Sequence, residues 1–228
     1  MTIEPKRPSR KQIAYRYDET AIRALRRAIS DERFATYLRI ADGDRRRALQ
    51  FYTRNVALGA AFHGPLQALE VTLRNAVDDA MTEAYGASWL MGAPLRAPEQ
   101  EAVRKATQSL EQARKPRTPA RLVAASNLGF WVALFARKYD ETLWRTTLHT
   151  LFGTDWPRSE VHKLLNRLRT LRNRIAHHEP IFHRHLRADH EGILSLLDDL
   201  SPETAAWVAH HSRVPKILAE SSHRIGQF

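Results

Sequence analysis

A chain of 228 residues, 43% apolar and 27% charged, is long enough to bury a sizeable core and too balanced in composition to stay unfolded as a polyelectrolyte. Its 36 Lys and Arg against 25 Asp and Glu give a formal charge of +11, which draws RNA, DNA or an acidic protein toward the surface. With no cysteine, disulfides and thiolate chemistry are excluded. No apolar run approaches the roughly 18–20 residues that span a bilayer, and the basic start lacks the apolar region of a secretory signal, so no membrane association and a cytoplasmic location are expected.

Sparse glycine and an abundance of Ala, Leu, Arg and Glu predict an all-α fold. Residues 1–15 mix Pro, Lys, Arg and Ser without periodicity and read as a flexible basic arm; 16–200 read as one all-α domain, and 201–228 as a short helical tail. Asp18 and Ser30 are placed to start two short helices, and Asp42 or Asp44 to cap a third that runs toward Phe62. Gly64-Pro65 interrupts this pattern before Leu69, Leu73, Val77 and Met81 resume it, so a kinked long helix and a hairpin both fit. Tyr85-Gly86 closes the segment with a residue suited to a left-handed cap.

Within that segment Glu70, Arg74 and Asp78 lie four apart with Asn75 beside them, the spacing of a solvent-facing salt-bridge ladder. Trp89 to Pro98 reads as a connection, Glu99 to Lys115 as a charged helix, and Lys115 to Pro119 as a basic linker. Trp131 and Phe135 share one helical face and suit a core; Trp144, Leu148 and Leu151 continue their pattern. His183, His185 and His190 alternate with Arg184 and Arg187, which reads as a solvated face and not a metal site. No Gly-rich phosphate loop is present, and no cofactor or metal is expected.

The chemistry-bearing stretch is Leu171 to Pro180. Val161, Leu164, Leu165, Leu168, Leu171 and Ile175 space a core-facing helix that Pro180 brings to an end near His178. At that end stand Arg172, Asn173, Arg174, His177 and His178, combining fixed guanidinium charge with imidazoles that titrate near neutrality. The spacing from Arg172 to His177 is cheap in itself, since Arg184 and His190 match a six-residue variant of it; position at the end of an amphipathic helix is what sets the first pair apart.

Arg172, Asn173 and His177 spell R-N-x-x-x-H, which resembles the signature of the HEPN superfamily of ribonucleases. The wider RNRIAHHEPIF, with the earlier LEVTLRNAV, Tyr85-Gly and Trp89, is similar to Abi-like abortive-infection proteins over roughly Arg33 to Phe182. The resemblance implies a HEPN-like helical bundle with additional N- and C-terminal helices, and a metal-independent endoribonuclease leaving a 2′,3′-cyclic phosphate. In it Arg172 binds the scissile phosphate, His177 acts as general acid or base, and Asn173 holds backbone or imidazole by hydrogen bonding. Glu70, Arg74 and Asn75 would support them from the earlier helix. Arg174 and His178, four apart on one face, offer an alternative pairing; where His178 is not the working imidazole it would contact phosphate or pack at an interface.

Five residues of ideal helix turn through roughly 140° and rise roughly 7.5 Å, so Arg172 and His177 of one copy share no tight face. HEPN ribonucleases join two such copies, which implies a homodimer, with an antitoxin or a phage-derived trigger as further partner. Rival readings are a HEPN domain that binds RNA or a partner without cutting, a DNA-binding regulator, and a structural interaction protein in which the Arg-His cluster is a buried polar network.

Overall fold

The computed structural model describes residues 15–154 and 156–220; the expected arm therefore falls almost wholly outside the described residues, as does the end of the tail. The fold is all-α, with no strand among the described residues. The described residues group into two compact units, one running up to residue 57 and rejoined from residue 219, the other spanning residues 58–218.

The smaller unit holds α1 (Glu19–Ile29), α2 (Asp31–Ile40) and the start of α3 (Arg45–Tyr85). Local chemistry sets its boundaries: Asp18 accepts from the Ala21 N–H at 2.8 Å, Ser30 from the Arg33 N–H at 3.5 Å, and Asp44 from the Arg47 N–H at 3.0 Å. Ile22, Phe34, Tyr37, Ala48 and Leu49 are its buried side chains, with the Tyr37 and Tyr52 rings edge to face at 5.3 Å.

The larger unit begins within α3, which stays helical through Gly64-Pro65 as one element and not as a hairpin. Pro65 lacks the N–H that would reach the Ala61 carbonyl, so the helix continues there with one hydrogen bond missing. Gly86, at φ +84°, ends α3 in the left-handed conformation. The connection that follows contains a helical turn, α4 (Trp89–Gly92), because Trp89 and Leu90 have a core to enter and Trp89 Nε1 donates to Asp78 at 2.7 Å.

Next come α5 (Ala97–Gln112), α6 (Pro119–Ala125) and α7 (Leu128–Ala133), after which residues 137–151 form 3-10 and π turns instead of the regular helix that Trp144, Leu148 and Leu151 suggested. A buried polar lock accounts for part of that geometry. Glu99 receives Lys138 Nζ at 2.7 and 2.6 Å and the Tyr139 hydroxyl at 2.5 Å, while the Arg96 N–H donates to the Tyr139 oxygen at 2.8 Å. Burial and the Glu99 hydrogen bond hold the Tyr139 phenol far above its ordinary range.

The remaining helices are α8 (Arg158–Ala176), α9 (Leu186–Leu200), α10 (Pro202–His211) and α11 (Val214–Ala219). Pro215 stands in the first turn of α11, where its missing N–H takes no hydrogen bond from the helix. α8 buries Val161, Leu165, Leu168 and Leu171, and α9 buries Ile193, Leu196 and Leu197. The two approach closely at Gly192, where an added Cβ would lie 2.7 Å from Leu164 Cδ1. α3 meets α8 where Gly59 faces Ile175, and α9 where the Phe62 ring meets His190 edge-on at 6.4 Å.

Candidate active site at the end of helix α8

α8 ends in a Schellman motif. His177 is the C-cap, His178 takes φ +56°, the His178 N–H donates to the Ile175 carbonyl at 3.0 Å, and the Glu179 N–H reaches back to the Arg174 carbonyl at 2.8 Å. A non-glycine residue rarely holds this left-handed conformation, although histidine is among those that enter it more readily. The turn thus fixes where both imidazoles leave the backbone.

The chain beyond the turn is also tied down. Arg174 Nη1 donates to the Pro180 carbonyl at 3.2 Å and lies 3.0 Å from His183 Nε2, and Arg174 Nε is 3.8 Å from Glu179. Ile181 is buried. Arg184 forks onto Asp189, Nε to Oδ2 at 3.0 Å and Nη2 to Oδ1 at 3.2 Å, and donates to the Arg167 carbonyl; Arg167 in turn reaches Asp189 Oδ1 at 3.0 Å. Asp189 is only 2% exposed, so this is a buried, doubly paired carboxylate.

Arg174 is occupied in holding the turn, and its contacts among the described residues are to Pro180, His183 and Glu179. One sequence expectation changes here. His190 is not on a solvated face: it is buried, with Nε2 2.8 Å from Ser212 Oγ, and burial holds its pKa below the ordinary value. His183 is likewise held down, by burial first and then by Arg174 and Arg184. The histidines of this segment do not converge, and among the described residues no group of three or more His, Asp or Glu is placed to hold a metal ion.

Against that background the other motif side chains stand out for what they leave unused. Arg172 is half-exposed and, among the described residues, has one partner, Glu70 of α3, at 3.7 Å through Nε. Its two terminal nitrogens, the Asn173 carboxamide and the imidazoles of His177 and His178 have no hydrogen-bond partner among the described residues. Asn173, His177 and His178 are exposed.

The expected ladder on α3 does not form as spaced: Glu70 turns to Arg172, Arg74 Nε donates to Asn75 Oδ1 at 3.3 Å, and Asp78 accepts from Trp89. The structure therefore brings Glu70 to the motif, while the contacts described for Arg74 and Asn75 are to each other.

Three more polar residues extend the site along α8. His162, Asn166 and Arg169 precede Asn173 at four, three and four residues, one face of a helix. Asn166 Nδ2 lies 2.8 Å from His162 Nε2, and burial, then Arg158 and Arg169, lower the His162 pKa. Arg169 Nε is buried without a hydrogen-bond partner. Reading the helical spacing backward from Asn173 would have found this stripe, but it was hidden among the alternating arginines and leucines.

Set beside known proteins, the chain matches no family model, no curated protein and no solved structure. The function has to be argued from the site itself.

Proposed function

We propose that this protein is a metal-independent endoribonuclease of the HEPN type, an abortive-infection or toxin-like antiphage protein whose site is completed by a second copy of the chain. The observation that carries the reading is the set of unused donors on Arg172, Asn173, His177 and His178, held by a helix cap and by Glu70 but not consumed by them.

Cleavage of RNA without a metal needs a base to take the proton from the 2′-hydroxyl, an acid to protonate the departing 5′-oxygen, and cations for the phosphate charge. The 2′-oxygen bonds to phosphorus as the P–O5′ bond breaks, leaving a 2′,3′-cyclic phosphate and a 5′-hydroxyl. Arg172 offers the phosphate its two terminal nitrogens while Glu70 fixes the Nε side. His177 serves as base or acid, the partner copy's imidazole serving in the complementary role. Asn173 orients the backbone of the bound strand, and the +11 charge draws the strand in. In the cell, an antitoxin or a phage-derived trigger governs when such an enzyme acts.

The test is total RNA incubated in EDTA with wild type, Arg172→Ala and His177→Ala, each checked for equal folding and dimerisation. Cleavage by wild type alone, with cyclic-phosphate ends, supports the reading. Equal cleavage by all three removes it, and RNA binding without cleavage by any would make the protein a non-catalytic binder.

A further inference from the structure

Helix α10 packs on α9 through buried Ala205 and Val208, which turns Trp207 outward. Trp89, Trp131 and Trp144 are buried and Trp156 is half-buried, whereas Trp207 is 57% exposed. Its indole lies beside the His211 ring, centroids 4.9 Å apart and inclined by 33°, and His211 Nδ1 is 2.9 Å from the Trp207 carbonyl oxygen, so the histidine buttresses the tryptophan.

Next to the indole is an open cavity of about 200 Å³, floored by Ala60, Ala61, Gly64 and Pro65 of α3 and edged by Arg213. The floor is made of small side chains, and a Cβ added at Gly64 would meet nothing within 4 Å, so a flat ring can lie against it. No carboxylate is among the lining residues. Arg213 is exposed, and its guanidinium has no ion-pair or hydrogen-bond partner among the described residues. Exposed Lys216, His210 and His63 lie close to the lining residues in sequence and add to the basic character.

We propose that this cleft is a second nucleic-acid subsite: Trp207 stacks on one base of single-stranded RNA, and Arg213 takes an adjacent phosphate. An aromatic face accepts any base, and a neighbouring cation supplies the backbone contact, the combination by which single strands are held without sequence readout. A carboxylate-free rim with a free guanidinium, on a chain of charge +11, fits a polyanion better than an apolar peptide. At about 100° per residue, the floor residues Ala60, Ala61, Gly64 and Pro65 lie roughly 80–180° round α3 from Glu70. The cleft is therefore separate from the motif and anchors the strand without touching the scissile phosphate. The choice of RNA rests on the function proposed above; the cleft is tested by binding and not by cleavage.

The experiment is an anisotropy titration of a short, 5′-fluorescein-labelled single-stranded 2′-O-methyl RNA, which has no 2′-hydroxyl to attack, with the full chain. The label reports affinity for every variant, and quenching of the intrinsic tryptophan fluorescence is followed beside it. Wild type is expected to show quenching that weakens with salt. Trp207→Ala is expected to bind about tenfold more weakly. Trp207→Phe should keep most of the affinity and lose the quenching, and Arg213→Ala should lower the slope of log affinity against log salt by about one phosphate contact.

Near-ultraviolet circular dichroism, dominated by the buried tryptophans, verifies folding of each variant. Unchanged affinity in Trp207→Ala overturns the proposal, as does conversion of a wild-type dimer to monomer by that substitution, which would make the cleft an interface between copies. Quenching by a proline-rich peptide but not by the oligonucleotide also overturns it. If RNA binding depends on Trp207 while His177→Ala leaves cleavage unchanged, the cleft stands and the proposed active site falls; the reverse pattern separates them the other way.

Discussion

Two clusters of charge sit on or beside α8 and α9, and they are built in opposite ways. Around Asp189 the charges meet: one carboxylate, almost fully buried, receives Arg184 and Arg167, and Arg184 Nη2 and Arg167 Nη2 also donate to the Arg167 and Ala188 carbonyls. Around Arg172 the donors outnumber the acceptors, and one carboxylate at 3.7 Å leaves most of them unused. A closed network holds backbone in place, because removing any member strands the others in a poor solvent. An open one contributes little to stability and keeps its donors for something that arrives later. The closed cluster fixes the segment that presents the open one, since Arg184 lies directly beyond the turn that carries His177 and His178.

The comparison breaks most clearly by removing one member of each. Asp189→Ala leaves the largely buried Arg184 without its carboxylate and should cost about 3–5 kcal/mol, measured as a shift in the urea midpoint with an unchanged slope. Arg172→Ala should stay within about 1 kcal/mol of wild type, because its ion pair is half-exposed and long. Cleavage should respond the other way, falling about 10²–10³-fold in Arg172→Ala if the guanidinium stabilises charge in the transition state. An Arg172→Ala protein that unfolds would place Arg172 in the structural class instead.

Proton concentration probes the same contrast more gently. Buried His190, with half-buried His162 and exposed His183, is held below the ordinary imidazole value of 6.5, so the folded chain resists protons that the unfolded chain accepts. Their contribution to stability is fully present above pH 6.5 and is lost as pH falls toward the lowered folded values. Urea midpoints between about pH 5 and 6.5 should decline with acid, and His190→Gln should flatten part of that decline. A slope unchanged by the substitution would mean that His190 takes up its proton equally in the folded and the unfolded chain.

The cap offers a smaller and more selective change. His178 holds φ +56°, a conformation that costs an L-residue roughly 1–2 kcal/mol and glycine almost nothing. His178→Gly should therefore raise stability by about 1 kcal/mol while deleting one of the two adjacent imidazoles. Full cleavage by this variant assigns the chemistry to His177, and loss of cleavage in a more stable protein assigns a share to His178. Few substitutions separate structure from chemistry with opposite signs.

The sequence could be read wherever a local interaction decides the outcome. Asp18, Ser30, Asp44 and Gly86 set helix ends through contacts within a turn, and the apolar spacing from Val161 to Leu171 locates the buried face of α8. Where two partners compete, the sequence left both open. Glu70 has Arg74 one turn away, as the spacing suggests, and Arg172 on another helix, as the resemblance implies, and only tertiary placement chooses the second. His190 sits in a run of arginines and histidines that resembles solvent-facing sequence, yet α9 turns it toward Phe62 and Ser212. Residues 137–151 carry helical periodicity but form tighter and wider turns, where Lys138 and Tyr139 are drawn to Glu99. The candidate site was legible as a list of residue types; which of them are spent and which are free depended on long-range partners.

The smallest effect concerns the frame between α3 and α8. Gly59 lies inside α3, and a Cβ added there would stand 3.6 Å from Ile175 Cγ2, ordinary van der Waals contact. Gly59→Ala should therefore stabilise by roughly 0.5–1 kcal/mol, through helix propensity and reduced freedom of the unfolded chain. Ile175 precedes His177 by two residues, so the added methyl supports the last turn of α8 without touching a free donor. If the cluster at Arg172 is open by design and merely carried by this frame, thermal stability rises and cleavage per folded molecule stays constant. A drop in cleavage would show that the position of the α8 terminus must remain adjustable, and that the frame and the chemistry are coupled through Ile175.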